Sequence, residues 1–293
     1  PHLKLSYPHI LGADVAGEVD AVGPGVDGVE VGRRALLSPG TSCGTCRRCL
    51  AGQDNLCRGY GILGETRDGG YAELLTVPAA NLLPYPGDLP FAEAAAVPLT
   101  FQTAWQMLVD KARVRPGEVV LVLAAASGVG TAAIQIARLF NATVIAAASS
   151  PAKLERAEQL GAHHRINYSE QDLVREVKAL TGKRGADVVF EHVGAATWES
   201  SIKACATGGR VVTCGATSGF QAATDLRHVF FRQLSILGST MGSKAVLFDV
   251  VQHVAAGRLR PVVDRVLPLA EAAEGHRMLE DREVMGKVVL DCA

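Results

Sequence analysis

Val119-Val-Leu-Val-Leu-Ala-Ala-Ala-Ser-Gly-Val-Gly-Thr-Ala-Ala-Ile-Gln135 joins a wholly apolar run to a turn of small residues and the opening of a helix. Val119 to Leu123 shows no polar alternation, which is the pattern of a strand buried on both faces. The turn passes into a helix that starts near Gly128 and carries Ile134, Ile136 and Leu139. The alternation continues downstream. Thr143 to Ala147 reads as a strand, and Pro151 to Leu160 as a helix with Ser150 at its N-cap and Pro151 at N1. Ala186 to Phe190 and Gly209 to Thr213 read as strands with a helix at Ala196 to Ala204 between them, and Leu234 to Gly238 as the last strand. Apolar strands alternating with helices predict an α/β domain built on a doubly wound parallel sheet. Upstream the texture differs. Ile10-Leu11, Val15, Val19 and Val22 run into Gly23-Pro-Gly25, and Ala35-Leu-Leu37 into Ser38-Pro-Gly40, the pattern of short antiparallel strands. Phe91 to Val97 and Thr103 to Lys111 are helix-prone, and after Gly257 two strands, Val262-Val263 and Gly286 to Leu290, flank a helix around Ala270 to Glu280.

A second stretch carries chemistry. Cys43, Cys46, Cys49 and Cys57 lie in one loop with spacing x2, x2, x7. Four thiolates this dense suit one tetrahedral Zn2+, and with every ligand from protein the ion would be structural. Gly40, Gly44 and Gly52 permit the tight turns, and Arg47, Arg48 and Arg58 offset the surplus negative charge. An iron–sulfur cluster and a pair of disulfides are the competing readings.

Bulk composition narrows the class. The chain has 293 residues, 48% hydrophobic and 20% charged, with a formal net charge of -1, which suggests two soluble domains with a large core. No Lys/Arg block exists to track a phosphate backbone, so nucleic acid is not an expected partner. The longest strictly apolar run, Val119 to Ala126, falls far short of the roughly 20 residues that span a bilayer, so no membrane segment is expected. No secretory signal is visible. Cys205, Cys214 and Cys292 read as reduced, mostly buried thiols of a cytoplasmic protein.

A dinucleotide-binding turn needs small residues at three places. Aligned on Val129-Gly130, these are Ala125, Ser127 and Gly130. Two of the three glycines are replaced, so the motif alone is weak, and a turn that binds no nucleotide is the alternative. Gly128 would open the helix whose N–H groups face a pyrophosphate. At the end of the second strand, Ala147-Ala-Ser-Ser150 with Lys153 a turn later offers hydroxyls and an ammonium but no carboxylate. That set favours NADP(H), with NAD(H) still possible; Lys153 could equally be a solvated surface residue.

His9 to Val19, the cysteine loop, Gly69-Gly-Tyr-Ala-Glu73, Pro98 to Trp105 and Ser127 to Gln135 together resemble the medium-chain dehydrogenase/reductase superfamily, which holds zinc alcohol dehydrogenases and quinone oxidoreductases. The resemblance implies a GroES-like β-barrel domain over 1–89 and 259–293 and a Rossmann domain over 90–258. It also implies several dozen residues before Pro1, so the chain is expected to be N-terminally incomplete. Gly69 to Glu73 is expected to be the strand after the cysteine loop. Leu234 to Gly238 resembles the edge strand through which relatives dimerise, so a homodimer or homotetramer is expected.

By the same resemblance, Thr103 lies beside the nicotinamide, Tyr168 near the 2′-phosphate, and Val193-Gly194, Gly215-Ala216 and Gly238-Ser239 line the nicotinamide and its ribose. Phe101, Trp105 and Met241 are candidate pocket residues, with core packing the alternative for Trp105. In the alcohol dehydrogenases a second, catalytic zinc has an imidazole ligand in a Gly-His-Glu motif, which here reads Gly12-Ala13-Asp14, and a cysteine ligand that here is Leu99. A first ligand would lie before this sequence. Neither alanine nor leucine can ligate. Asp14 remains as a candidate acid or a structural acceptor. His163-His164 is expected in a surface loop and His192 at a strand end. The expected function is NADPH-dependent reduction of a small molecule with an activated C=C bond, or of a quinone, without a catalytic zinc. A zinc alcohol dehydrogenase with relocated ligands and a non-catalytic nucleotide-binding protein are the alternatives.

Overall fold

The computed structural model describes residues 7–292; the opening of the expected barrel segment, residues 1–6, and Ala293 lie outside the described residues. The chain forms two compact units, Pro1–Gln102 with Met241–Ala293, and Thr103–Thr240. The second unit begins later and ends earlier than the 90–258 span expected for the nucleotide domain.

In the first unit the turn-punctuated sequence gives short strands. β1 (Ala16–Glu18), β2 (Arg34–Leu37), β3 (Gly40–Thr41), β4 (Gly61–Ile62) and β5 (Leu82–Leu83) are joined by irregular segments. β1, β2 and β5 make one antiparallel sheet, and β3 pairs antiparallel with β4. Leu36 and Leu83, opposite each other in register, are fully buried. Asn81 ties the two sheets by donating to the carbonyls of Ser38 and Gly40, both at 2.8 Å. The cysteine loop contains α1 (Arg47–Leu50). The helices α2 (Phe91–Ala95) and α3 (Pro98–Trp105) follow.

Gly69 to Glu73 is not the strand expected after the cysteine loop. It is a run of bends whose N–H groups still pair with residues 10–12, Gly69 to Ile10, Gly70 to Gly12 and Tyr71 to Leu11. Position 69 has room only for glycine: a Cβ there would stand 2.2 Å from the Gly12 carbonyl oxygen.

The second unit carries the parallel sheet. Its elements in chain order are β6 (Val119–Val122), α4 (Gly128–Leu139), β7 (Thr143–Ala148), α5 (Pro151–Gln159), β8 (His164–Asn167), α6 (Leu173–Leu180), β9 (Ala186–Glu191), α7 (Trp198–Ala204), β10 (Cys205–Thr213), α8 (Leu226–Phe231) and β11 (Ser235–Gly238). Strand order is β11-β10-β9-β6-β7-β8, every pairing parallel. Val120, Leu121 and Val122 have no exposure, as the unbroken apolar run requires. Ser150 caps α5 by accepting the Lys153 N–H, as the Ser-Pro pair predicts.

β8 was not foreseen; His163 is an exposed bend residue, as expected, but His164 is not in a loop. His164 opens β8, paired with Ile145, while His163 Nδ1 accepts the Val144 N–H at 2.9 Å. A polar sequence suffices there because β8 is an edge strand with one neighbour.

The chain then returns to the first unit. α9 (Lys244–Ala255), capped by Ser243, leads to β12 (Val263–Pro268), α10 (Ala272–Glu280) and β13 (Lys287–Asp291), with β12 and β13 parallel. Among the described residues no helix is long and apolar enough to cross a membrane.

Candidate functional site

The order of the parallel sheet changes direction between β6 and β9: the chain winds outward from β6 to β7 and β8, then outward again from β9 to β10 and β11. Such a switch point, at the carboxyl ends of the two central strands, is where α/β sheets bind their ligands.

After β6 the chain makes the small-residue turn. Ser127 caps α4 by accepting the Gly130 N–H at 3.0 Å. Gly130 lies where helix and strand approach most closely: a Cβ there would sit 2.6 Å from the Ala124 carbonyl oxygen and 2.9 Å from that of Ala125. Its packing is what the third glycine of a dinucleotide turn is required for, with Ala125 and Ser127 at the other two small-residue places. Ser127, Gly128 and Val129 are partly exposed, and α4, twelve residues long, begins there. This is the donor chemistry a pyrophosphate requires. Gly130→Ala must displace the turn, so a rise of about tenfold in nucleotide Kd with about 1–3 kcal/mol of lost stability is expected from overpacking. Isothermal titration and thermal melting read the two effects separately.

After β9 the chain forms a second loop against the first. His192 Nε2 lies 3.0 Å from the Leu123 carbonyl oxygen and 3.4 Å from Ser127 Oγ, so this imidazole bridges the ends of β6 and β9. Burial holds its pKa below the ordinary histidine value, against the opposing pull of the Leu123 carbonyl and Glu191. The neutral ring therefore donates from Nε2 at physiological pH. Gly194, at φ 93°, packs on the loop after β10: a Cβ there would meet Gly219 O at 2.6 Å and the Ala216 Cα at 2.8 Å. Gly215 approaches His192 O in the same way, at 3.0 Å. Gly238 ends β11, and the N–H of Ser239 donates to Thr213 O at 2.8 Å. Ser127 to Gly130, Val193-Gly194, Gly215 and Gly238-Ser239 thus all lie at the carboxyl ends of adjacent strands.

Four buried hydroxyls among the described residues are orphaned, those of Ser38, Tyr60, Thr103 and Ser239, and the last two belong to the second unit. Thr103 Oγ1 and Ser239 Oγ are buried with no hydrogen-bond partner. A buried hydroxyl without a partner costs free energy, and a ligand with matching polar atoms removes that cost. Phe101, Trp105 and Met241 are all buried; Trp105 packs edge-on against Phe140 at 5.7 Å, which makes it a core residue.

At the ends of β7 and β8, Ser149, Ser150 and Tyr168 come together. Tyr168 N–H donates to Ala148 O, Ser169 Oγ donates to Ser149 O, and Tyr168 remains 39% exposed. Lys153 stands on the first turn of α5.

In the first unit, the four cysteine sulfurs lie within 4.8 Å of one another. Sγ separations of 3.6 Å for Cys46–Cys49 and Cys43–Cys57 and 3.9 Å for Cys43–Cys49 are far from a disulfide bond. They match the edge of a tetrahedron of about 3.8 Å that follows from a Zn–S bond of about 2.3 Å. A multi-iron cluster would spread the sulfurs further apart, so the geometry fits one ion. The N–H groups of Thr45 and Cys46 pull the Cys43 thiol down to about 6, which favours the thiolate at neutral pH. Asp54, just before Cys57, accepts the Lys244 N–H at 2.9 Å and so joins the cysteine loop to the start of α9.

Asp14 is committed to structure. Its Oδ1 accepts the Leu99 N–H at 2.8 Å and its Oδ2 pairs with Lys287 Nζ at 2.8 Å, with the carboxylate side chain only 8% exposed. Burial alone would lower the Lys287 pKa, but the Asp14 carboxylate overcomes it and holds the ammonium above its ordinary range. Sequence reasoning missed Lys287, which lies 273 residues from Asp14. It also missed Glu191, whose signal was a lone carboxylate ending an apolar strand.

A chain that has both a parallel nucleotide-type sheet and a barrel-like unit with a four-cysteine cage fits a class of two-unit oxidoreductases. Residues 128–256 match the family described as zinc-binding dehydrogenase, and residues 2–87 the alcohol dehydrogenase GroES-like domain. A 2-haloacrylate reductase of Burkholderia sp is 33% identical, covering 97% of this chain and 81% of its own. An acryloyl-coenzyme A reductase of Sulfurisphaera tokodaii is 29% identical over 98% of this chain and 84% of its own. A crystal structure of an NAD-dependent alcohol dehydrogenase is 59% identical, with TM-score 0.96 over 99% of this chain and 84% of that one. The chain belongs to the medium-chain dehydrogenase/reductase superfamily, in which zinc-type alcohol dehydrogenases and quinone oxidoreductases are grouped, and it is an NAD(P)H-dependent oxidoreductase of that superfamily.

Proposed function

We propose that the protein reduces an activated C=C bond, or a quinone, with NADPH and without a catalytic metal, and that its cysteine cage holds one structural Zn2+. The observation that carries the reading is the pair of side chains at the place of the catalytic ligands. Ala13 and Leu99 offer no lone pair, and Asp14 is already spent on the Leu99 N–H and Lys287. An unactivated alcohol depends on a Lewis acid to carry its developing alkoxide. A C=C conjugated to a carbonyl or thioester spreads the charge into its own oxygen, so hydrogen bonds suffice.

When bound, the dinucleotide supplies the hydride. The chain would hold it through the α4 N-terminus at Ser127 to Gly130 and the turns at Val193-Gly194, Gly215 and Gly238-Ser239. The unpartnered hydroxyls of Thr103 and Ser239 are suited to orient the nicotinamide end. Ser149, Ser150, Lys153 and Tyr168, with no carboxylate in Ala147 to Ser150, favour the 2′-phosphate of NADP over the bare ribose of NAD. The names of the acryloyl-coenzyme A and 2-haloacrylate reductases support the activated C=C substrate. The free edge of β11, exposed at Ser235, Ile236 and Gly238, suits pairing with a second copy into a homodimer, and the unpaired thiols suit the cytoplasm.

The 59% identical NAD-dependent alcohol dehydrogenase favours a second reading, alcohol oxidation with NAD. An assay over enoyl thioesters, enones, quinones and primary and secondary alcohols, with NADPH and NADH or their oxidised forms, separates the two. The expected result is NADPH oxidation on an activated double bond at least about tenfold more efficient than any alcohol oxidation, a gap worth about 1.4 kcal/mol in the barrier. Efficient alcohol oxidation with NAD would reject the proposal. Tight NADPH binding without turnover on any of them would indicate a non-catalytic nucleotide-binding protein.

A further inference from the structure

We infer that Glu191 is the positioning residue that presets the Val193-Gly194 turn for the dinucleotide, an inference that rests on the nucleotide-binding reading above. Glu191 ends β9 with no solvent exposure. Its four donors are all neutral. Oε1 accepts the N–H groups of Val193 at 2.6 Å and Gly194 at 3.0 Å and the Thr197 hydroxyl at 3.0 Å; Oε2 accepts Thr197 at 2.9 Å and the Ser201 hydroxyl at 2.5 Å. Burying a carboxylate is costly, and these four donors are what offsets that cost. What the carboxylate does that an apolar group could not is draw two consecutive backbone N–H groups onto one oxygen.

That capture fixes the backbone of Val193 and Gly194. The opposite side of the turn is fastened too: Val193 O accepts the Ser218 N–H at 2.7 Å and the Ser218 hydroxyl at 2.7 Å. Gly194, at φ 93°, closes against Gly219 and Ala216. The turn is held in one conformation between the carboxylate inside and the loop after β10 outside. His192, between Glu191 and the turn, carries the same registration to Ser127 and the α4 N-terminus. A preset turn spares the ligand the entropy of ordering it, so the affinity gain appears in nucleotide binding rather than in the chemical step.

The test compares Glu191→Asp, which keeps the charge but withdraws the oxygens from the turn, with Glu191→Gln, whose single carbonyl oxygen still reaches both N–H groups while the hydroxyls of Thr197 and Ser201 turn to accept. Ser201→Ala, which removes a donor from Oε2 only, is the control. NADPH Kd by fluorescence titration, KM and kcat, and Tm are read on each full-length variant. Glu191→Asp should raise Kd and KM for NADPH at least about tenfold with kcat within about threefold. Glu191→Gln should stay within about threefold of the parent, and Ser201→Ala should lower Tm with Kd nearly unchanged. A folded Glu191→Asp with unchanged Kd, or equal Kd losses in Ser201→Ala, would overturn the inference. Hydrogen exchange on the unmodified protein decides the matter even where Glu191→Asp does not fold. The Val193 and Gly194 amides should be protected before NADPH or NADH is added, and free exchange that slows only on addition would overturn it equally. Failure of the unmodified protein to bind either nucleotide would instead strike the nucleotide reading, leaving the protection result to stand by itself.

Discussion

Exchanging Cys57 for serine will empty the cysteine cage: bound zinc should fall from one ion per chain to a small fraction, and Tm should drop by more than about 6 °C, equivalent to at least about 2 kcal/mol for a chain of this size. The reason is that the loop has almost nothing else to hold it. α1 buries none of its residues, Leu50 is 77% exposed and Leu56 49% exposed. Of the four cysteines, Cys57 alone is buried. A loop without a core takes its order from metal–thiolate bonds, whose binding free energy is then folding free energy. Its loosening should also be felt at a distance, because Asp54 caps the first N–H of α9 through Lys244. Mass spectrometry of the native protein, thermal melting and limited proteolysis across 43–57 check the three consequences. Unchanged metal content and melting would mean that the cysteines hold no structural ion. Chelation at mildly acidic pH should strip the ion faster, since thiolates must be deprotonated to bind it.

Lys287→Met should be nearly as damaging. It leaves the Asp14 carboxylate, 8% exposed, without its cation while the Leu99 N–H stays bound to it. Removing one partner of a buried pair costs about 3–5 kcal/mol; with the Lys287 side chain still 28% exposed, screening by water brings the expected loss to about 2–3 kcal/mol. The double variant Asp14→Leu with Lys287→Met should recover part of that loss, because neutral side chains of similar size leave no stranded charge. Urea unfolding of the three proteins measures it, and a double variant less stable than both single ones would show that the pair does more than neutralise itself. The pH dependence has a fixed sign. The folded pKa of Lys287 is raised, so the contribution of its proton is fully present below the ordinary lysine value of 10.5 and is lost as pH climbs through the raised value above it.

The parallel sheet and the cage were legible because both are written locally. Val119 to Leu123 has no polar residue, and the four cysteines are adjacent in sequence. β8 was invisible for the opposite reason: His164-Arg-Ile-Asn167 has a single apolar side chain, and its strand conformation comes from pairing with β7. The helices α6 and α8 were not singled out either, although Asp172 and Asp225 cap them. In the site, the small residues of the first turn could be found from motif spacing and those of the later turns from the family resemblance, but what holds them could not. Glu191 falls just past the strand read at Ala186 to Phe190 and Lys287 inside the one read at Gly286 to Leu290, and only the fold sets one against Val193 and Gly194 and the other against Asp14. Gly69 to Glu73 shows the converse, a strand-like sequence that runs through bends while its N–H groups pair with residues 10–12.

Whether hydride transfer here proceeds without a Lewis acid is tested most directly by metal analysis of the turning-over enzyme, zinc per chain being measured alongside NADPH oxidation on an enoyl thioester. One zinc per chain at full turnover, held by the cysteines and abolished as binding by Cys57→Ser, is the expected result. A second ion per chain whose removal by chelation stops turnover would contradict it.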